Sequence, residues 1–174
     1  MKEIDQEMIM KIHIPRWNEL PEIDLYLDQV VSYLEKYLEQ YNVIREDKII
    51  TKTMINNYVK LGIMPAPEKK KYSREHIAYL IVICVLKQVY SINDIGKLIS
   101  LTIQYFELSK AYNRFCANLE ISVKNVFSRK EFPNVERMTE EQYLLKNVVQ
   151  SIADKLYVEL KFLNSDKWKE NRKA

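Results

Sequence analysis

Ten consecutive residues, Ile77 to Leu86, are apolar, Ala78 and Tyr79 included. A helix that is apolar on all sides is buried on all sides. Ser73 stands ahead of the run as an N-cap, and Glu75 lies in the first turn, where the helix dipole favours an anion. The run is far shorter than the ~20 residues needed to cross a bilayer. It is therefore expected to be a central core helix, and the stretch from Ile50 to Ile99 is organised around it.

Ahead of the core helix, a shorter helix should begin after Thr51 or Thr53, both N-cap residue types. Gly62 is placed to end it, because only glycine adopts the left-handed conformation without steric cost. Pro65 and Pro67 forbid continuation. Ile55, Tyr58 and either Leu61 or Val59 recur at helical spacing and should face the core. The opposite face carries Lys52, Thr53, Asn56, Asn57 and Lys60. Lysine neutralises phosphate, and asparagine can bond adenine through two atoms in the major groove.

Between the two helices runs Glu68-Lys69-Lys70-Lys71-Tyr72, a short basic, hairpin-like loop. Three adjacent lysines repel one another in an isolated fold, whereas a polyanion would gain several phosphate contacts from them. After the core helix, Ser91 opens another helix, with Asp94 in the capping-box position and Ile92, Ile95, Leu98 and Ile99 as its inner stripe. From Lys48 to His76 there are seven Lys/Arg and two Asp/Glu, a net of +5. The whole chain is +3, so everything else sums to −2. Positive charge focused on one element is the footprint of a nucleic-acid contact.

These residues resemble a known family. Met54-Ile55-Asn56-Asn57-Tyr58-Val59-Lys60-Leu61-Gly62-Ile63 resembles the recognition helix of the MerR family of bacterial transcription regulators. Asn56-Asn57 stands where that family has Arg-Tyr. Tyr72-Ser73 looks like the Tyr-Ser that ends its wing, although this wing is shorter, lacks a glycine and offers lysines in place of arginines. Tyr90-Ser91-Ile92-Asn93-Asp94-Ile95 looks like its helix-to-helix turn. The likeness covers about a third of the chain. The wider chain, including Ile14-Pro15-Arg16-Trp17-Asn18-Glu19-Leu20-Pro21, also looks like a bacterial domain-of-unknown-function family that is itself MerR-like. The resemblance implies a winged helix-turn-helix that binds double-stranded DNA. Lys52, Thr53, Asn56, Asn57 and Lys60 would enter the major groove, with Asn56 or Asn57 reading bases. Lys69, Lys70, Lys71, Tyr72 and Arg74 would hold flanking phosphates.

Two glycines in 174 residues leave few tight turns, so an all-α, mainly helical fold is expected. Residues 1–100 are expected to form an amino-terminal segment plus the winged domain. Residues 101–174 should form a carboxy-terminal helical pair that covers it or pairs with a second copy, a homodimer being favoured. Around Ile12 to Trp17 the chain reads as extended, bracketed by Pro15 and Pro21, with Trp17 as a packing anchor. Glu22 to Tyr41 reads as an amphipathic helix with Leu27, Val30, Val31, Leu34, Tyr37, Leu38 and Tyr41 inward, and Glu35, Lys36, Glu39 and Gln40 on its wet side. Asn42 to Asp47 connects it to the shorter helix. Leu101 to about Phe127 reads as one helix, ended by a polar loop around Pro133. Thr139-Glu140-Glu141-Gln142 is a capping box opening a last helix to about Leu163, and Asn164 to Ala174 reads as a frayed tail.

Catalytic sets are missing from the sequence. His13 and His76 lie in no metal-ligand pattern, no glycine-rich phosphate loop is possible, and there is no Gly-x-Ser-x-Gly elbow. Cys84 and Cys116 read as reduced core thiols. No cofactor is expected, an enzyme is the least favoured class, and the polar, acidic start from Met1 to Met10 points to the cytoplasm. Two other readings remain: a protein-interaction module on the same scaffold, and a small-molecule effector pocket lined by Tyr105, Phe106, Tyr112 and Phe115.

Overall fold

Thr51, Ser91 and Thr139 each begin a helix through the hydroxyl the sequence supplies. In the computed structural model, which describes residues 10–38 and 49–163, their Oγ atoms accept from the backbone N–H of Met54 at 3.2 Å, Asp94 at 3.2 Å and Gln142 at 3.4 Å. Gln142 Oε1 returns the favour, accepting from the Thr139 N–H at 3.0 Å and completing the capping box. Among the described residues the α-helices that follow are, in order, α1 Leu27–Leu38, α2 Lys52–Lys60, α3 Arg74–Leu86, α4 Ile92–Tyr105, α5 Leu108–Ser128 and α6 Glu140–Val158. Among the described residues, strand is limited to β1 Leu25–Tyr26 and β2 Lys71–Tyr72, paired antiparallel with Leu25 opposite Tyr72 and Tyr26 opposite Lys71. The fold is all-α.

The chain divides into two compact units. The first, Ile14–Cys116, is built on α3. Every residue of the apolar run from Ile77 to Leu86 is buried except half-buried Val82. α1 packs against α3, α2 and β2, and α4 packs against α3. Val30, Leu34 and Leu38 of α1, Ile55 and Tyr58 of α2, and Ile95 and Ile99 of α4 complete this core. The amino-terminal strip is fastened to the start of α5. The Tyr112 hydroxyl donates to the Pro15 carbonyl at 2.7 Å, and the Trp17 N–H donates to Asn113 Oδ1 at 2.7 Å. Trp17 packs edge-on against Tyr112 with ring centroids 6.3 Å apart, which is the anchor role expected of it.

The second unit holds residues 117–163 with residues 10–13. Its core is Ile12, Leu119, Val123 and Phe127 with Val148, Val149, Ile152, Ala153 and Leu156. Phe127 meets Tyr157 edge-on at 5.1 Å, and His13 Nδ1 lies 3.5 Å from Glu120 Oε1. After α6 a π-helical turn, Glu159–Leu163, continues the rod.

Two expectations are corrected. The helix expected from Glu22 starts at Leu27, because Leu25 and Tyr26 are taken into the sheet. The Tyr26 N–H is then capped by Gln29 Oε1 at 2.9 Å. Its far end, residues 39–41, and the connection at 42–47 lie outside the described residues, as does the tail at 164–174. The single helix expected from Leu101 to Phe127 is broken in two. Phe106 is extended, with φ −132° and ψ 142°, and α5 starts afresh with the Ala111 N–H bonded to the Glu107 carbonyl at 2.9 Å.

Candidate nucleic-acid interface

The geometry of α2 follows from its two ends. Thr51 caps the start, and the exit is a Schellman turn: Gly62 N–H bonds the Val59 carbonyl at 3.0 Å and Ile63 N–H bonds the Tyr58 carbonyl at 3.1 Å. Gly62 has φ +69°, the left-handed value that glycine adopts freely. Ile63 then tucks in beside Gly96 of α4, where a Cβ would lie 3.4 Å from Ile63 Cγ1. Both glycines of the chain thus serve this one corner. Lys87, at the end of α3, donates through Nζ to the Ile49 carbonyl and lies 3.7 Å from Met54 Sδ, steadying the approach to α2. No sequence pattern announces that contact.

Between these ends α2 is sharply two-sided. Ile55 and Tyr58 are buried, Val59 is half-buried and Leu61 is exposed. Burial, and then the neighbouring Cys84, pushes the Tyr58 phenol up to about 12, and burial pushes the Cys84 thiol up to about 12. The outer face is the expected one: Lys52, Thr53, Asn56, Asn57 and Lys60 are all exposed. Lys52 is ion-paired with Asp28 of α1, an exposed pair worth little in energy.

The basic loop is a two-residue hairpin turn. Glu68 and Lys71 form a bridge, with the Lys71 N–H on the Glu68 carbonyl at 2.8 Å. The two central residues, Lys69 at φ +48° and Lys70 at φ +64°, both lie in the left-handed region. That is the pattern of a type I′ turn, which normally takes Asn-Gly or Gly-Gly. Lys71 continues into β2 and holds its Nζ 5.4 Å from the Tyr26 ring centroid. Lys69, Lys70 and Lys71 are exposed. Lys60, Lys69 and Lys70 face no carboxylate among the described residues.

Two expected contact residues are placed differently. Tyr72 is buried, its ring edge-on to His76 at 5.5 Å, so it supports the turn from beneath and is not offered to phosphate. Arg74 is half-buried and turned to the amino-terminal strip: Nε donates to the Pro21 carbonyl at 3.4 Å and Nη2 lies 3.6 Å from Glu22 Oε1. The aromatic set suggested for an effector is separated as well. Tyr112 and Phe115 are core residues, whereas Tyr105 and Phe106 are exposed at the α4–α5 break. The α2 face and the lysine turn belong to the same unit, and α1 packs against both α2 and β2. Among the described residues no group of His, Cys, Asp and Glu is arranged to hold a metal ion, and no helix is long and apolar enough to cross a membrane.

An all-α unit that carries one polar helix face and a lysine-tipped hairpin is the class these features define. The chain belongs to the DUF1836 family, described as a domain of unknown function, which matches residues 15–115. That span coincides within a residue at each end with the Ile14–Cys116 unit. Comparison with curated proteins and with solved structures returned no match.

Proposed function

We propose that the Ile14–Cys116 unit binds double-stranded DNA as a winged helix-turn-helix regulator acting in the cytoplasm. α2 is the reading helix in the major groove, and the Lys69–Lys71 turn lies on flanking phosphates. Asn56 and Asn57 contact base edges, and the lysines supply most of the affinity. Helix-turn-helix proteins read paired half-sites as dimers, so two copies act together.

The turn is the observation that carries this reading. Two lysines occupy positions where a left-handed backbone costs an L-residue about 1 kcal/mol each and where glycine or asparagine would be nearly free. Strain kept at an exposed, charged tip is expected where the side chains have work to do. The experiment is fluorescence anisotropy of the full chain with a random duplex across a salt series, beside a Lys69/Lys70/Lys71→Ala variant. Log affinity should fall linearly with log salt, and the variant should lose about 1 from the slope per lysine removed. No binding at low salt would exclude the proposal.

A second reading is a protein-interaction module that keeps this scaffold without DNA. Its support is that Lys52 and Arg74 are each answered by a carboxylate, Asp28 and Glu22, within the unit. Affinity for duplex DNA would then be weak and nearly independent of salt.

A further inference from the structure

Lys71 stands between two cross-strand partners. In β2 it lies opposite Tyr26 of β1, and across the hairpin it lies opposite Glu68. Directly paired residues of an antiparallel ladder project to the same face. The next pair along, Leu25 with Tyr72, is buried, so Tyr26, Lys71 and Glu68 share the outer face. All three are exposed, Tyr26 to 56 %. On that face Lys71 has an anion on one side and a ring on the other. Its Nζ lies over the Tyr26 ring, 5.4 Å from the centroid, and no ion pair joins it to Glu68 among the described residues. Lys52 and Arg74 are placed otherwise, each beside a carboxylate. The difference matters for charge. A carboxylate cancels an ammonium, whereas an aromatic face attracts it through the ring quadrupole and leaves its charge whole. Tyr26 is itself firmly based. Its N–H is capped by Gln29 Oε1 at 2.9 Å, Leu25 is buried beside it, and α1 begins at the next residue.

We propose that Tyr26 is a positioning residue of the lysine turn: its ring holds the Lys71 ammonium in one place, uncancelled, for a phosphate of duplex DNA. An ammonium carries three donors, and the ring occupies one side of it, leaving the outer side for a phosphate oxygen. A lysine side chain samples many rotamers, and fixing it on a polyanion costs entropy. A ring that already restricts the side chain lowers that cost before the DNA arrives. Tyr26 brings no positive charge of its own, so it should change affinity without changing the number of counterions released. The inference rests on the DNA reading above. It adds a residue from the chain ahead of α1, outside the basic segment from Lys48 to His76.

Anisotropy of the full chain and its variants with a random duplex, across a salt series, tests this role. Tyr26→Leu should lower affinity about threefold with the salt slope unchanged, whereas Lys71→Ala should reduce the slope by about 1. Tyr26→Phe keeps the ring face and should rescue the loss. In the Lys71→Ala background Tyr26→Leu should change nothing further, because no ammonium is left to hold. A side chain that merely supported the hairpin would lower affinity in both backgrounds. Proton NMR of the free protein reads the contact without DNA. The Lys71 ε-methylene should be shifted upfield by the ring current, and the shift should vanish in Tyr26→Leu and persist in Tyr26→Phe. Unaltered affinity in Tyr26→Leu, additive losses in the double variant, no rescue by Tyr26→Phe or an unshifted ε-methylene would each overturn this inference, while salt-dependent binding by the natural chain would still uphold the DNA reading. A shifted ε-methylene in a chain that binds no duplex at low salt overturns the DNA reading and this inference with it.

Discussion

The backbone N–H of Ser73 donates to Nδ1 of His76 at 3.0 Å, and the Ser73 hydroxyl oxygen lies 2.8 Å from the same nitrogen. An N–H can only donate, so Nδ1 accepts and the ring proton sits on Nε2, from which it donates to the Ala66 carbonyl at 3.3 Å. One neutral imidazole therefore links the entry to the lysine turn with the first turn of the core helix. Replacing His76 by Ala removes a cap and leaves the half-buried Ser73 N–H without its acceptor, so a loss of about 1 kcal/mol is expected. His76→Gln, which can still cap Ser73, should recover part of it. Urea unfolding of the three proteins makes the comparison.

The positive-φ residues separate stability from function. Gly62→Ala meets open space but must hold φ +69°, so about 1 kcal/mol should be lost, and less with Asn. In the turn the direction reverses. Lys69→Asn with Lys70→Gly suits a type I′ turn and should raise stability by about 1 kcal/mol while lowering affinity for duplex DNA. Equal or higher DNA affinity in that variant would contradict the assignment of the turn to phosphate.

On α2 the two residue types should fail differently. Asn56→Ala and Asn57→Ala should erase discrimination at single base pairs, worth about 1–3 kcal/mol, with the salt slope unchanged. Lys60→Ala should weaken all sequences alike and reduce the slope by about 1. Site selection followed by salt titration distinguishes them. Unchanged site preference in both asparagine variants would move base reading elsewhere.

Alkali should loosen the core beneath the same helix. Tyr58 and Cys84 keep their protons in the folded chain up to about 12, whereas the unfolded groups release theirs near 10.0 and 9.0. Their contribution is therefore complete below pH 9.0 and is lost as pH climbs toward 12. The urea midpoint should fall through this range, less steeply in Tyr58→Phe. At neutral pH, thiol reagents should modify Cys84 and Cys116 only as the chain unfolds, since both are buried.

What the sequence reveals is what is local. Caps at Thr51, Ser91 and Thr139, the glycine exit at Gly62 and the uniform apolarity of Ile77–Leu86 each act within a few residues, and each is found where it was expected. β1 was hidden because two residues paired across some forty-five others leave no periodic trace, and only Gln29, three residues beyond Tyr26, hints at a helix start. The break at Phe106 has neither proline nor glycine to mark it, and Glu107 is a poor cap type. For the site, the exposed stripe on α2 follows from helical period. The burial of Tyr72 and the turning away of Arg74 follow from tertiary neighbours that no spacing encodes.

The pairing of Leu25 with Tyr72 has a practical corollary for anyone dissecting the molecule. Half of the frame under the lysine turn is contributed by chain that comes before α1. A fragment trimmed to begin at α1 would retain every basic residue proposed to meet DNA and yet lose the mount on which three of them are displayed. Its failure to bind would report on carpentry and not on chemistry.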